Sequence, residues 1–213
     1  MKAYIFDLDG TLLDSMNVWE RIDAEFLSKR GLDMPPDYIN AICPLSFPEA
    51  AKYTIERFGL PDRPEELLCE WNGMAEYTYG NTVPLKPYAR EYLSALKKRG
   101  AKLAVATSLP AALYEPALWN HGIMDLFDTI CSTDEVKFGK TRPDVFLLAA
   151  EKLGAEPETC VVFEDVLQAV ISAKRAGMKV YGVYDKSSDD QWERIKKAAD
   201  GFIYDFKDAP LPE

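Results

Sequence analysis

Short apolar runs set between helical patterns constrain the fold of this 213-residue chain more than any other feature. The first is "AYIF" at 3–6. It is followed by "AKLAVATS" (101–108), "FDTICST" (127–133), "TCVVFED" (159–165) and "MKVYGVYD" (178–185), with "GFIYDF" (201–206) as a short sixth candidate. These runs are too short to be helices, and most are apolar throughout rather than alternating, as strands buried on both faces are. The segments between them read as helices; in "RPDVFLLAAEKLG", Pro143 stands near the first helical position and Gly154 beyond the last. Strands alternating with helices predict an α/β fold, an open parallel sheet with helices on both faces. An apolar share of 47% is ample for such a core.

The stretch between the first two runs departs from that rhythm. From Met16 to about Gly80 there is no strand signal. "MNVWERIDAEFLSKRG" repeats apolar residues at Val18, Ile22 and Phe26, and "PPDYINAI", "SFPEAAKYTIERFG" and "PEELLCEWNGMAEY" follow. Breaks at Gly31 to Pro36, Pro44 and Gly59 to Pro64 separate them. This predicts an all-helical insert over 15–83, entered near Asp14-Ser15 and left through "NTVPLKP", within a core made of 1–14 and 84–213. Two short crossings suit a lid that hinges.

Composition narrows the function. A formal net charge of −10 argues against docking on nucleic acid or anionic membranes. No apolar run is long enough to span a bilayer, and the first strand follows Met1-Lys2 directly, so the expectation is a cytoplasmic protein, acting as a monomer. Cys43, Cys69, Cys131 and Cys160 lie far apart in sequence and read as buried free thiols. The lone histidine, His121, falls where a helix ends at Gly122, which suits a helix C-terminus and leaves no basis for a triad or a histidine-rich zinc site.

Ligands of open parallel sheets bind at the carboxyl ends of the strands. The first run ends in Asp7 and Asp9, the second in Thr107-Ser108, and the fourth in Glu164-Asp165; Lys140 follows the third, just before a helix. Several carboxylates gathered at one edge suit a hard divalent cation such as Mg2+. An ammonium, a hydroxyl and the amides of a helix start suit a phosphoryl group. Together they point to phosphoryl transfer. Residues two apart on a strand face the same side, so Asp7 and Asp9 can address one phosphorus, one carboxylate attacking and the other moving the proton.

"DLDGTLLDS", "VATS", "GKTRPD" and "VVFED", in this order, resemble the four motifs of the haloacid dehalogenase superfamily, in the branch of β-phosphoglucomutase and phosphoglycolate phosphatase. The resemblance covers the whole chain and implies a Rossmann-like core with the insert as a cap that sets substrate specificity. It implies Asp7 as nucleophile and metal ligand, and Asp9 as acid and base with its carbonyl on the metal. Thr107 and the Ser108 amide would hold phosphate oxygens and Lys140 would neutralise charge. Asp165 would complete a Mg2+ site, with Glu164 acting through water. Three departures stand out. Val166 and Ala169 replace a common serine and glycine, and Thr141 replaces a common proline.

Dehalogenases resembling this fold lack the second aspartate, because a leaving halide needs no proton. With Asp9 present, the expected activity is hydrolysis of a small phosphorylated metabolite, a sugar phosphate or similar phosphomonoester. A β-phosphoglucomutase-like mutase is the alternative, and a catalytically silent anion-binding protein is a third reading. The mutase grips a second phosphate with a cap histidine and arginine; here Trp19 and Phe47 stand near those places, which favours the phosphatase. Trp19 and Phe47 lead the cap candidates for substrate contact, with Asp23, Trp71 and Tyr77 behind them.

Overall fold

The computed structural model describes residues 2–42, 45 and 47–212, with residue 40 described by its backbone alone. The chain divides into two units, one of residues up to Met16 and from Val83 onward, the other Asn17–Thr82.

In the first unit, strands β1 (Ala3–Phe6), β2 (Lys102–Thr107), β3 (Thr129–Ser132), β4 (Cys160–Glu164), β5 (Lys179–Val183) and β6 (Gly201–Ile203) form a sheet in the order β3-β2-β1-β4-β5-β6. Every neighbouring pair is parallel. The side-chain period of two gives each strand two buried faces. Ala3 and Ile5 of β1, Ala104 and Ala106 of β2, and Val162 of β4 join one core cluster. Helices α7 (Asp144–Leu153), α8 (Leu167–Arg175) and α9 (Trp192–Ala198) contribute to that cluster. On the other face, Phe6, Phe163 and Tyr181 sit in register on β1, β4 and β5 and stack at 5.1 and 5.5 Å. Tyr92, on the helix α5 (Ala89–Lys98), and Phe206 close over them. Cross-strand aromatic pairs of this kind contribute roughly 0.2–1 kcal/mol each relative to alanines. The remaining helix of this unit, α6 (Ala111–Asn120), follows β2.

The second unit holds α1 (Val18–Lys29), α2 (Tyr38–Ile42), α3 (Phe47–Phe58) and α4 (Pro64–Asn81), with no strand among its described residues. Helix α4 runs past the end of the sequence pattern, because Leu67, Trp71, Ala75 and Tyr79 keep a four-residue buried spacing through Gly80. Ser15 and Met16 go with the sheet unit. Asp14 N–H donates to the Pro84 carbonyl (2.9 Å), Lys86 N–H donates to Leu12 (2.8 Å), and Leu13 bridges Leu85, so the outgoing and returning passages run side by side. The Lys86 ammonium also pairs with buried Asp185 at 2.5 Å.

Some expectations need correction. Cys131 and Cys160 are buried and free, but Cys69 is exposed on α4, and Cys43 lies outside the described residues, as does Pro44. As expected, Pro143 stands beside the first helical residue of α7, at its N-cap, and Gly154 just past the last. His121 is the C-cap of α6, and its Nε2 lies 2.7 Å from the Val83 carbonyl, an anchor for the returning passage. Among the described residues no helix is long and apolar enough to cross a membrane.

Candidate active site

The strand order puts β1 at the centre, with β2 on one side and β4 on the other. Their carboxyl ends therefore meet. Asp7 follows β1 directly, its N–H held by the Phe163 carbonyl of β4 at 3.1 Å. Thr107 ends β2, and Glu164 ends β4 with Asp165 next. A cavity of about 270 Å3 opens here, and Asp7, Asp9, Thr107, Ser108, Lys140 and Glu164 line it. Asp165 lies just behind, fully buried. A larger cavity, about 500 Å3, borders Tyr4 and Tyr181 and none of these residues.

Lys140 donates to Glu164 Oε2 at 3.0 Å and pairs with Asp7 Oδ1. Asp7, Glu164 and Asp165 each offer an oxygen, all within 4.8 Å of one another. One ammonium does not satisfy three buried carboxylates. Burial would lower the pKa of Lys140, but the charges of Asp7 and Glu164 outweigh it and hold the ammonium above its ordinary range. Glu164 and Asp165 are both pushed well up, first by burial and then by the charge of Asp7. Glu164 Oε1 and Asp165 Oδ2 are buried without a hydrogen-bond partner. Orphaned carboxylate oxygens at this spacing are a donor set for a hard divalent cation, which suits Mg2+.

The turn after β1 builds the rest. The N–H groups of Thr11, Leu12 and Leu13 all donate to the Leu8 carbonyl, at 3.2, 2.9 and 2.8 Å. Gly10 sits in that turn at φ +75°, and a Cβ there would lie 2.2 Å from Asp165 Oδ2. Its absence lets the backbone approach a carboxylate 155 positions on, a role the sequence does not disclose. Thr11 Oγ1 donates to Asp165 Oδ1 (3.0 Å), and buried Ser15 donates to Asp9 Oδ1 (2.5 Å). Both hydroxyls escaped sequence reasoning, although they lie within the first motif. Thr107 Oγ1 accepts from Leu109 N–H at 3.1 Å, which leaves its own proton free to donate; Ser108 is exposed at the mouth. Val166 caps α8 without a side-chain hydrogen bond, and with Met16, Thr141, Gln168 and Ala169 it completes the lining.

In the helical unit, Trp19 and Phe47 are partly exposed and meet edge to face at 5.4 Å. Trp71 is interior to that unit, and Tyr77 is exposed on α4.

Comparisons with known proteins identify the family. Residues 4–183 match the family model of the haloacid dehalogenase-like hydrolases. The chain belongs to that family. It is 30% identical to hexitol phosphatase B of Escherichia coli K12 over 182 residues, 83% of this chain and 81% of the relative. It is also 30% identical to the phosphorylated carbohydrates phosphatase of Thermotoga maritima over 190 residues, 89% and 88% of the two chains. A crystal structure provisionally assigned as a β-phosphoglucomutase, also from Thermotoga maritima, superposes with a TM-score of 0.85 at 28% identity, covering 95% of this chain and 94% of that one. The chain is accordingly a phosphatase of this hydrolase family, built on the α/β Rossmann-like fold.

Proposed function

We propose that this phosphatase hydrolyses a small phosphorylated metabolite, a sugar phosphate or similar phosphomonoester, through an aspartyl-phosphate intermediate. The observation that carries the reading is the joint lining of one cavity by Asp7, Asp9, Thr107, Ser108 and Lys140 beside the orphaned oxygens of Glu164 and Asp165. A carboxylate oxygen of Asp7 attacks phosphorus while the ester P–O bond breaks, and Asp9 gives its proton to the departing alkoxide. Water then attacks the aspartyl phosphate. Asp9 takes its proton, and inorganic phosphate leaves with the Asp7 carboxylate restored. Ser15 holds the Asp9 carboxyl in place, while Thr107 and the Ser108 amide bind phosphoryl oxygens and Lys140 offsets their charge. Asp7, Asp9, Glu164 and Asp165 would hold Mg2+, which supplies charge neutralisation at the phosphoryl group when bound.

The curated relatives named as hexitol and carbohydrate phosphatases support a sugar-like leaving group. The mutase reading is disfavoured by the Trp19–Phe47 ring pair, which offers no cation to a second phosphate. The helical insert is read as the specificity cap, and the enzyme as a cytoplasmic monomer. The test is phosphate release from sugar monophosphates with Mg2+. Activity that is chelator-sensitive and independent of added sugar bisphosphate is expected. Equal turnover in excess chelator would sink the metal assignment, and isomer interconversion faster than phosphate release would install the mutase instead.

A further inference from the structure

The passage by which the chain returns to the sheet unit, Val83 to Tyr88, contains one charged residue, Lys86. Its ammonium donates to Asp185 Oδ2 at 2.5 Å, and the two side chains are only 12% and 5% exposed. Asp185 lies two residues past β5, which stands two strands away from β1 in the sheet. The N–H and the hydroxyl of Ser187 donate to its other oxygen, at 2.8 and 2.6 Å, and fix the pose in which the carboxylate meets the ammonium. Burial alone would raise the pKa of Asp185, but the bonds from Lys86 and Ser187 outweigh it and hold the carboxyl below its ordinary range. A surface pair such as Lys97–Asp128, at 29% and 41% exposure, contributes little to stability. Lys86–Asp185 is a different case, because both charges are withdrawn from water and two apolar side chains of similar volume would hold the fold as well. What charge adds over apolar packing is a defined direction and distance.

That geometry is handed on to the turn after β1. Lys86 donates its own N–H to the Leu12 carbonyl at 2.8 Å, Asp14 N–H donates to Pro84, and Leu13 bridges Leu85. Leu12 and Leu13 are wholly buried, and both donate to the carbonyl of Leu8, which stands between Asp7 and Asp9. The Leu13 carbonyl accepts from Gly10 N–H at 2.9 Å, and Leu13 also bridges Asp9. One line of bonds therefore runs from the end of β5 through Lys86 and Leu12–Leu13 to the backbone of Asp9. A second line holds the other side of the turn, through Asp7 N–H on Phe163 and Thr11 on Asp165. Lys86 is not among the described residues that line the cavity, so it reaches the chemistry only through the turn.

We propose that Lys86 and Asp185 are positioning residues for Asp9: their buried pair pins the returning passage, and with it the turn after β1, where the Asp9 carboxyl reaches the leaving-group oxygen. The proposal rests on the reading of Asp9 as proton donor given above. Asp7 depends on this line less, because it precedes the turn and is held directly by β4.

The experiment compares kcat/KM on the full chain for glycerol phosphate, whose alkoxide needs a proton to leave, and p-nitrophenyl phosphate, whose phenolate does not. The glycerol-to-aryl ratio reads the proton donor, whereas loss of folded protein lowers both substrates alike and leaves the ratio unchanged. Asp9→Asn sets the full fall. Lys86→Met should lower the ratio at least about tenfold, the scale of a misplaced catalytic group. The double variant Lys86→Met/Asp185→Leu buries no unpaired charge and should unfold in urea near the wild-type midpoint, yet lower the ratio as much. Asp185→Asn, which keeps the shape of the side chain, should lower it in the same direction. In an Asp9→Asn background the double variant should change the ratio no further, because the group it positions is already gone. A folded variant of the three that keeps the wild-type ratio, or a further fall in the Asp9→Asn background, would overturn the positioning role alone. A ratio that Asp9→Asn itself leaves untouched would overturn the assignment of Asp9, and a wild type that hydrolyses neither ester would overturn the phosphoester reading; the proposal falls with either.

Discussion

The two units treat buried acid in opposite ways. At the sheet edge, Asp7, Glu164 and Asp165 crowd together and are partly answered from within by Lys140 and Thr11, with two oxygens left over. In the helical unit Asp23 is a single buried acid, and burial is what raises its pKa, to about 7. The first arrangement collects oxygens for a small, strongly hydrated cation. The second is one acid whose ionisation is opposed by its burial. Burial raises carboxyl pKa values in both places, so a shifted acid alone does not tell a chemist what it is for. The neighbours do.

The sharpest way to break the sheet-edge half of that comparison is to separate its two aspartates. Asp7→Asn should reduce turnover to background and leave no phosphoenzyme. Asp9→Asn should lose roughly 10²–10⁴-fold on alkyl phosphates yet accumulate aspartyl phosphate from an activated aryl phosphate, since no base remains to activate water. Intact-mass spectrometry after quenching reads both outcomes, and label on any residue other than Asp7 would reverse the roles.

Gly10→Ala tests whether the carboxylate cluster depends on backbone approach. The new Cβ would lie 2.2 Å from Asp165 Oδ2 in a left-handed turn. A stability loss of about 1–3 kcal/mol is expected. Mg2+ titration of activity should shift to much higher concentration. An unchanged titration would show that Asp165 can retreat without consequence.

The cap acid is tested by pH. Below about pH 4 Asp23 is protonated whether the chain is folded or unfolded, and it contributes no penalty. As pH rises from the ordinary carboxyl range to about 7, the unfolded chain ionises freely while the folded one resists, so stability falls. The advantage of Asp23→Asn over wild type in urea unfolding should therefore grow between pH 4 and pH 8, by roughly 2–4 kcal/mol. A pH-independent difference would mean that the carboxylate finds a partner in solution.

The smallest effect serves as a control away from both acids. Tyr88, at the N-cap of α5, is the one non-glycine residue at positive φ (62°) among the described residues, and its side chain is half exposed. Tyr88→Gly should stabilise the core by about 1 kcal/mol and change neither metal response nor substrate preference.

The sequence disclosed what lies at strand ends and along helix faces. Asp7, Asp9, Thr107, Lys140 and Glu164 come to one cavity because parallel strands point their carboxyl ends the same way, and that follows from the apolar runs alone. What it hid are the contacts between distant positions. Nothing local in Gly10 or Thr11 announces Asp165, and nothing local in His121 announces Val83. Asp23 was visible as a candidate, but its burial was not, because an acid beside Ile22 on an amphipathic helix ordinarily reads as the wet flank. Cys69 misled in the opposite sense. A cysteine in a helical pattern reads as buried, yet α4 turns it outward between the inward residues Leu67 and Trp71.

The paired passage of chain at Leu12–Asp14 and Pro84–Lys86 has a consequence for lineage rather than for catalysis. Asp14 and Pro84 are hydrogen-bonded neighbours, so the sheet unit sees the whole of Asn17–Thr82 as a single long loop leaving and returning at one doorstep. A loop whose ends already touch can be lengthened, shortened or exchanged with little entropic penalty to the body that carries it. Grafting a different helical insert between Met16 and Val83 should therefore yield a folded chimera, one that keeps the phosphate chemistry and inherits a new appetite for leaving groups.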